Sequence, residues 1–369
     1  MPAHTMAFVM QSPPGPSTLI NGRWRDYFAG TGYLGLQSHP AVLQAASEAA
    51  RAGFSTATSR GGFGEHPLYQ AVEAAAAQFC GAEEAIYLTS GYLGMAALLH
   101  ALAPDYDHIF IDEASHFSVQ QAAAISHKPV TPFRHLDASA LAAACQMHLH
   151  PRQRPLLLSD GLFPISGEIA PAPAYAAALA AFAGALICLD DAHALGVLGS
   201  QGRGTLEYFG AEGEGRYASS TLSKAMGGFG GLVAGEAALI AKLRGSGIFT
   251  GASPPPLPAA AASQAAVAIA QAEPERRQQL WANVAQARVG LRALGWSLPS
   301  SPAPILCLGA RPGLDLARMQ RELFDRDLCV AHVTSYTSTP PGGALRIAIF
   351  ATHTAPQIER LIAEIGALL

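Results

Sequence analysis

The 369-residue chain is long enough to bury a core without disulfide staples, and its length suits two to three domains or one large α/β domain with a smaller partner. Half of its residues are apolar and only 14% are charged, against about 25% in ordinary soluble chains, which excludes wholesale disorder and points to surface covered by a second subunit. With 23 basic and 27 acidic residues, a net charge of −4 and no basic stripe, the composition argues against a nucleic-acid partner.

The N-terminus, Met-Pro-Ala-His-Thr-Met, has no basic segment followed by an apolar run, so no secretory signal is expected. Residues 1–30 are rich in Pro and Gly, and Asn21-Gly22-Arg23-Trp24 reads as a turn between short strands. From 40 to 240, alanine-rich helical stretches (40–52, 66–80, 92–103, 116–127, 137–150, 172–183) alternate with short apolar runs. Those runs, at 85–89, 109–112, 156–160, 186–190, 216–221 and 231–235, predict strands of an α/β fold whose mostly parallel sheet is flanked by helices. The stretch Ile169–Leu189 is uncharged and long enough to cross a bilayer. Its alternating Ala and Pro at 170–173 and its exit into Asp190-Asp191 favour a short buried helix followed by a strand, and no membrane span is expected.

Ser253-Pro-Pro-Pro-Leu-Pro breaks the rhythm, and a long helix is predicted from about 258 to 294 with a kink at Pro274. The last third reads as a smaller α+β unit: strand 304–308, helix 315–326, strands 328–333 and 344–350, helix 355–368. The chain thus divides into an N-terminal segment (1–35), a large α/β domain (36–250), a linking helical region (251–295) and a small C-terminal α+β domain (296–369). Cysteines at 80, 145, 188, 307 and 329 are odd in number and lack Cys-x-x-Cys spacing, so neither a disulfide framework nor a metal site is expected, and a reducing cytoplasm suits them.

Ligands of open parallel sheets bind beyond the carboxyl ends of the strands. Lys224, one of three lysines in the chain, follows the strand ending at Thr221 and precedes Ala-Met-Gly-Gly-Phe-Gly-Gly, a loop of small residues. A lysine desolvated there has a lowered pKa and can form a Schiff base; the alternative is a solvated loop lysine. Asp190 ends the most apolar strand, where a carboxylate needs a partner such as a protonated heterocyclic nitrogen; a helix N-cap is the alternative, one that Asp191 would fill equally well. His193 can reach the same ligand. Ser90-Gly91-Tyr92 joins a strand to a helix and offers free backbone N–H groups to a phosphate. His116 opens the helix after another strand, where its ring could stack on a planar cofactor. A Schiff-base lysine, a carboxylate for a pyridinium nitrogen and a phosphate cradle are together what pyridoxal 5'-phosphate chemistry requires.

Motifs in order along most of the chain carry a family resemblance. They are Tyr33-Leu34-Gly35-Leu36 with His39-Pro40, Ser59-Arg60 with Gly64, Ser90-Gly91-Tyr92, His116 with Ser118, and Asp160-Gly161. Then come Asp190-Asp191-Ala192-His193-Ala194-Leu195-Gly196 with Gly202-Arg203-Gly204, Thr221-Leu222-Ser223-Lys224-Ala225, and Leu345-Arg346-Ile347 with Thr352-His353-Thr354. The sequence resembles the α-oxoamine synthase family of fold-type-I pyridoxal phosphate enzymes.

The resemblance implies a fold-type-I transferase that works as a homodimer. It implies that Lys224 bonds the cofactor and moves protons at the substrate Cα, that Asp190 keeps the pyridine nitrogen protonated, and that His193 partners the phenolic oxygen. It further places His116 on the ring face, Asp160 near the ring, and Gly91, Tyr92 and Thr221 near the phosphate, with Thr250 reaching the phosphate of the neighbouring subunit. Arg346 corresponds to the arginine that pairs with the amino-acid carboxylate. Thr31 stands where the family carries an Asn that helps hold that carboxylate. The family's Gly-aromatic-x-x-Asn reads Gly91-Tyr92-Leu93-Gly94-Met95 here, and its Phe-Ser-Met-Asp-Gly reads Phe163-Pro164-Ile165-Ser166-Gly167. The implied reaction is decarboxylative condensation of a small α-amino acid with an acyl thioester, on coenzyme A or a carrier protein, to an α-aminoketone. Retro-aldol cleavage, transamination or decarboxylation on the same cofactor, and a non-catalytic binding protein, are the alternatives. A nicotinamide site is disfavoured, because the glycines at 227, 228, 230 and 231 lack a dinucleotide fingerprint.

Overall fold

The structure is a computed structural model that describes residues 8–369. The turn expected at Asn21-Gly22 joins β1 (Ser17–Ile20) to β2 (Arg23–Tyr27), with Asn21 and Gly22 both at positive φ. Helices α1 (Pro40–Ala52) and α2 (Pro67–Cys80) each open on a Pro at the first turn, where its missing N–H costs nothing, and on a histidine cap, His39 or His66, whose side chain accepts a backbone N–H.

The alternation then builds a layered unit. In chain order its elements are β3 (Glu84–Leu88), α3 (Gly94–Ala101), β4 (His108–Asp112), α4 (Phe117–Ala124), β5 (Val130–Phe133), α5 (Ala138–His148), β6 (Pro155–Asp160), α6 (Ala172–Leu179), β7 (Leu186–Asp190), α7 (Thr205–Tyr208), β8 (Arg216–Thr221) and β9 (Gly231–Gly235). The seven strands form one sheet in the order β3-β9-β8-β7-β6-β4-β5. Only β9 runs against its neighbours, so the sheet is mostly parallel, as expected. β4, β6 and β7 are buried along their whole length, which is why they read as continuous apolar runs rather than alternating ones. The uncharged stretch at 169–189 resolves into α6 and β7, and among the described residues no helix is long and apolar enough to cross a membrane.

Three expectations need correction. β5 has no counterpart among the predicted strands: it carries Thr131 and Pro132, and a proline confines a strand to a sheet edge, where β5 lies. The long helix is two helices, α10 (Leu257–Ala272) and α11 (Glu275–Ala293), reached after α8 (Ala237–Arg244) and α9 (Gly247–Thr250). Pro274 has no N–H to continue the ladder and drives Glu273 out of helical geometry, so the chain breaks rather than bends.

The third correction follows β10 (Ile305–Gly309) and α12 (Leu316–Asp325). The run at 328–333 is two short strands, β11 (Leu328–Cys329) and β12 (Ala331–Val333). β11 pairs with β2, whereas β12 pairs with β13 (Ala344–Ala348) in the sheet β10-β13-β12, so one apolar run serves two sheets. The closing helix α13 (Ala355–Gly366) carries a capping box at Thr354 and Gln357. It packs on α11 at Gly290, where an added Cβ would come within 2.3 Å of the Ile362 side chain.

Candidate active site

Because β3, β4, β6, β7 and β8 share one direction, their carboxyl ends deliver Ser90, His116, Asp160, Asp190 and Lys224 to one edge of the sheet. They line a cavity of about 420 Å³ that also holds Thr31, Gly91, Tyr92, His193, Thr221 and Arg346. Eleven of the twelve residues singled out from sequence therefore meet in one place. Thr250 does not: it is exposed at the end of α9, its hydroxyl donating to Ser246 O at 3.1 Å, and it lines no part of its own chain's cavity.

Asp190 and Asp160 are direct partners across β7 and β6. Asp190 Oδ1 accepts the Ala192 N–H at 2.9 Å, so the carboxylate does cap the following turn, while its Oδ2 lies 3.5 Å from the Ser118 hydroxyl. Asp191, the alternative cap, is engaged elsewhere: both oxygens bind Thr205, at 2.6 Å through the hydroxyl and 2.8 Å through the N–H, and burial pushes its carboxyl up to about 6. Asp160 accepts the His116 N–H at 3.0 Å, and burial together with the charge of Asp190 pushes its carboxyl well above the ordinary range.

Lys224 lies in the same field. Burial lowers its ammonium to about 8, against the opposing pull of Asp190 and Asp160. An amine so placed is about one-tenth neutral at pH 7, far more than an ordinary lysine, and the neutral form is the state a nucleophile or base needs. At the other side of the cavity, Ser90 Oγ accepts the Tyr92 N–H at 3.2 Å. Gly91 is pressed so close to Thr221 that an added Cβ would come within 2.6 Å of that residue's Cβ, so any side chain there would close the cradle.

Two histidines have their tautomers set by their neighbours. His193 Nδ1 sits 2.7 Å from the Tyr33 hydroxyl, which itself accepts from Arg346 Nη2 at 3.2 Å. With its lone pair taken by the guanidinium, Tyr33 donates to Nδ1. Burial pushes His193 well below the ordinary histidine range, so the ring is neutral and its proton is on Nε2. His116 Nδ1 accepts the Ser118 N–H at 3.1 Å, and burial lowers its pKa as well. Its Nε2–H therefore donates to the Tyr336 hydroxyl at 2.6 Å.

Tyr336, which lines the cavity, and Tyr33, which stands behind it on His193, have no role assigned from sequence. Tyr33 was visible inside a motif. Tyr336 had no local signal, since it lies 220 positions from the histidine it touches.

Arg346 is 6% exposed, and its hydrogen bonds go to Pro164 O (2.6 Å, from Nε), Gly30 O (3.1 Å, from Nη1) and Tyr33 Oη (from Nη2). None of these partners carries a negative charge. Three of its five N–H groups are spent, leaving one on each terminal nitrogen, the pair that grips both oxygens of a carboxylate.

Residues 30–365 match the family described as aminotransferase class I and II. The 8-amino-7-oxononanoate synthase of Methylococcus capsulatus is 34% identical, the alignment covering 96% of this chain and 92% of that protein. A putative 8-amino-7-oxononanoate synthase of Thermosynechococcus vestitus is 37% identical, with 99% and 92% covered. A variant of the serine palmitoyltransferase of S. paucimobilis, solved with PLP and myriocin bound, superposes with a TM-score of 0.91 at 26% identity, covering 98% of this chain and 92% of that one. With the strand-end cavity, the lowered lysine and these likenesses in hand, the chain belongs to the aminotransferase class I and II family, and within it to the α-oxoamine synthases, which are fold-type-I pyridoxal phosphate enzymes.

Proposed function

We propose that the chain condenses a small α-amino acid with an acyl thioester, releasing carbon dioxide and a free thiol and giving an α-aminoketone. The observation that carries this reading is the pairing, in one cavity, of a buried lysine whose amine is partly neutral with a buried guanidinium that has two N–H groups to spare and no carboxylate partner. The relatives named as 8-amino-7-oxononanoate synthases support the same class of chemistry.

The donor set fits pyridoxal 5'-phosphate. Lys224 would hold its aldehyde carbon, Asp190 its ring nitrogen, His193 its phenolic oxygen and His116 its ring face, with Ser90, Gly91, Tyr92 and Thr221 around the phosphate and Asp160 beside the ring. When bound, the cofactor supplies an electron sink for negative charge at the amino-acid Cα.

The chain's own residues do the rest. Arg346 binds the substrate carboxylate and so fixes which Cα bond is presented for cleavage; Thr31 lines the same wall. Lys224 Nζ, in its neutral form, takes the Cα proton and later returns one. Asp190, anchored by the Ala192 N–H, keeps a negative charge where a protonated ring nitrogen would sit. The neutral His193 offers a hydrogen bond from Nε2 without adding a second positive charge beside Arg346.

The reading extends to a homodimer in which Thr250 completes the neighbouring subunit's phosphate site. The exposed rings of Phe54, Phe63 and Phe229 support a surface that another subunit covers. It extends also to a reducing cytoplasm, which suits the five free cysteines.

Incubating the cofactor-loaded enzyme with glycine, alanine or serine, each with and without an acyl thioester, tests the reading. Thiol release that requires both substrates is expected. Turnover of the amino acid independent of thioester would assign retro-aldol, transamination or simple decarboxylation instead.

A further inference from the structure

A second cavity, of about 630 Å³, adjoins the first, and Tyr336 lines both. The Tyr336 hydroxyl is held by His116, and its ring stands edge-on to Phe117 with centroids 5.2 Å apart. A chain passing from the amino-acid Cα into the second cavity therefore passes Tyr336. Leu298, Pro299, Pro340 and Pro341 provide apolar wall, and Ser338, whose hydroxyl oxygen is buried without a hydrogen-bond partner, lines it as well.

The charged groups of this cavity are one-sided. Among the described residues, no lysine or arginine lines it. Its one cationic group is His135, whose Nδ1 is 2.8 Å from Asp112 and whose Nε2 is 3.3 Å from Glu168; the two carboxylates hold it protonated, with a pKa near 9. Glu113, exposed at the rim, accepts the His135 N–H at 3.3 Å. Three carboxylates thus stand at His135, with Asp112 and Glu168 on its two ring nitrogens and Glu113 on its backbone N–H, so the imidazolium is already engaged on both sides. An anionic group entering here would lose hydration beside uncancelled negative charge and find no free cation.

We infer, on the footing of the condensation reading above, that the second cavity receives the acyl chain of the thioester and selects a chain with an uncharged end over one ending in carboxylate. The amino-acid carboxylate has its own partner in Arg346, on the other side of Tyr336, so the two cavities sort the two substrates by charge.

The test uses cofactor-loaded enzyme with a saturating small amino acid and two coenzyme A thioesters of equal chain length, heptanoyl and its ω-carboxy counterpart. The expected kcat/KM for the neutral chain is at least tenfold higher. Equal values, or preference for the carboxylate, overturn the inference while leaving condensation intact. No turnover of either thioester, with amino-acid binding retained, overturns the condensation reading and this inference with it.

Location is tested by Ser297→Trp, which builds a ring into the cavity from an exposed position on its rim. It should raise KM for the neutral thioester at least tenfold without changing amino-acid affinity, and an unchanged KM would place the acyl chain elsewhere. Glu113→Gln removes one rim charge and should narrow the discrimination between the two thioesters. Undiminished discrimination would refute the charge argument.

Discussion

Replacing Arg346 with alanine removes a guanidinium that makes three protein hydrogen bonds and keeps two N–H groups for a ligand. A charge-assisted hydrogen bond contributes about 1.5–3 kcal/mol, so losing the carboxylate's partner should weaken amino-acid binding by about 10- to 150-fold. The affinity is read by titrating the cofactor's visible band with glycine, alanine or serine. A carboxylate-free amine serves as the control, because a ligand that never used Arg346 should bind wild type and variant alike. Arg346→Lys keeps the charge but loses the planar fork, and should fall between the two. The variant also strands the acceptors Pro164 O and Gly30 O, so a general loosening would weaken both ligands together. Equal losses for amino acid and plain amine, or no loss for either, would show that Arg346 is structural and that the carboxylate lies elsewhere.

Other expectations rest on single contacts. Cofactor-free enzyme should capture pyridoxal phosphate at a rate that rises with pH and is half-maximal near pH 8, because burial lowers Lys224 to about 8 from 10.5. The sign follows from the depressed cation: the cost of burying the ammonium is fully present below about pH 8 and is relieved as pH rises toward the unfolded value, so a midpoint near 10.5 would mean a solvated lysine. Asp190→Asn should leave the urea midpoint within experimental error, since the amide oxygen can still accept the Ala192 N–H, yet reduce turnover at least a hundredfold; near-normal turnover would reduce Asp190 to a cap. His135, raised to about 9 by Asp112 and Glu168, contributes stability that is complete below its ordinary pKa near 6.5 and is lost as pH rises through 9. The difference in urea midpoint between wild type and His135→Gln should therefore shrink from pH 6 to pH 10, and a constant difference would contradict the ion-pair assignment.

How much of this was legible in the sequence follows from how local each signal was. Asp190 stood out because it ends a buried apolar strand, where a charge needs a reason to be, and Lys224 because it follows a strand and opens a loop of small residues. Their meeting with His116, Asp160 and Ser90 followed from strand direction alone, since parallel strands point their carboxyl ends the same way. β5 was hidden by Pro132, and the gap between α10 and α11 turned on whether Pro274 bends or breaks a helix, which the residue type alone leaves open and the non-helical backbone of Glu273 settles as a break. The run at 328–333 gave no sign that its halves pair in different sheets.

The tautomer chain through Tyr33 and the partition at Tyr336 were invisible for a further reason. Each depends on a hydrogen bond between residues at least 160 positions apart, and no spacing rule reaches that far. Thr250 shows the complementary limit, since a residue expected to act in a neighbouring subunit leaves no trace in its own chain's cavity.

The central claim is that bond breaking at the amino-acid Cα is coupled to acyl transfer. Its most direct measurement is the release of labelled carbon dioxide from a carboxyl-labelled amino acid, followed together with free thiol from an acyl thioester. The account predicts one carbon dioxide per thiol, and neither product when one substrate is withheld. Carbon dioxide formed without thioester, or thiol formed without loss of the label, would contradict it.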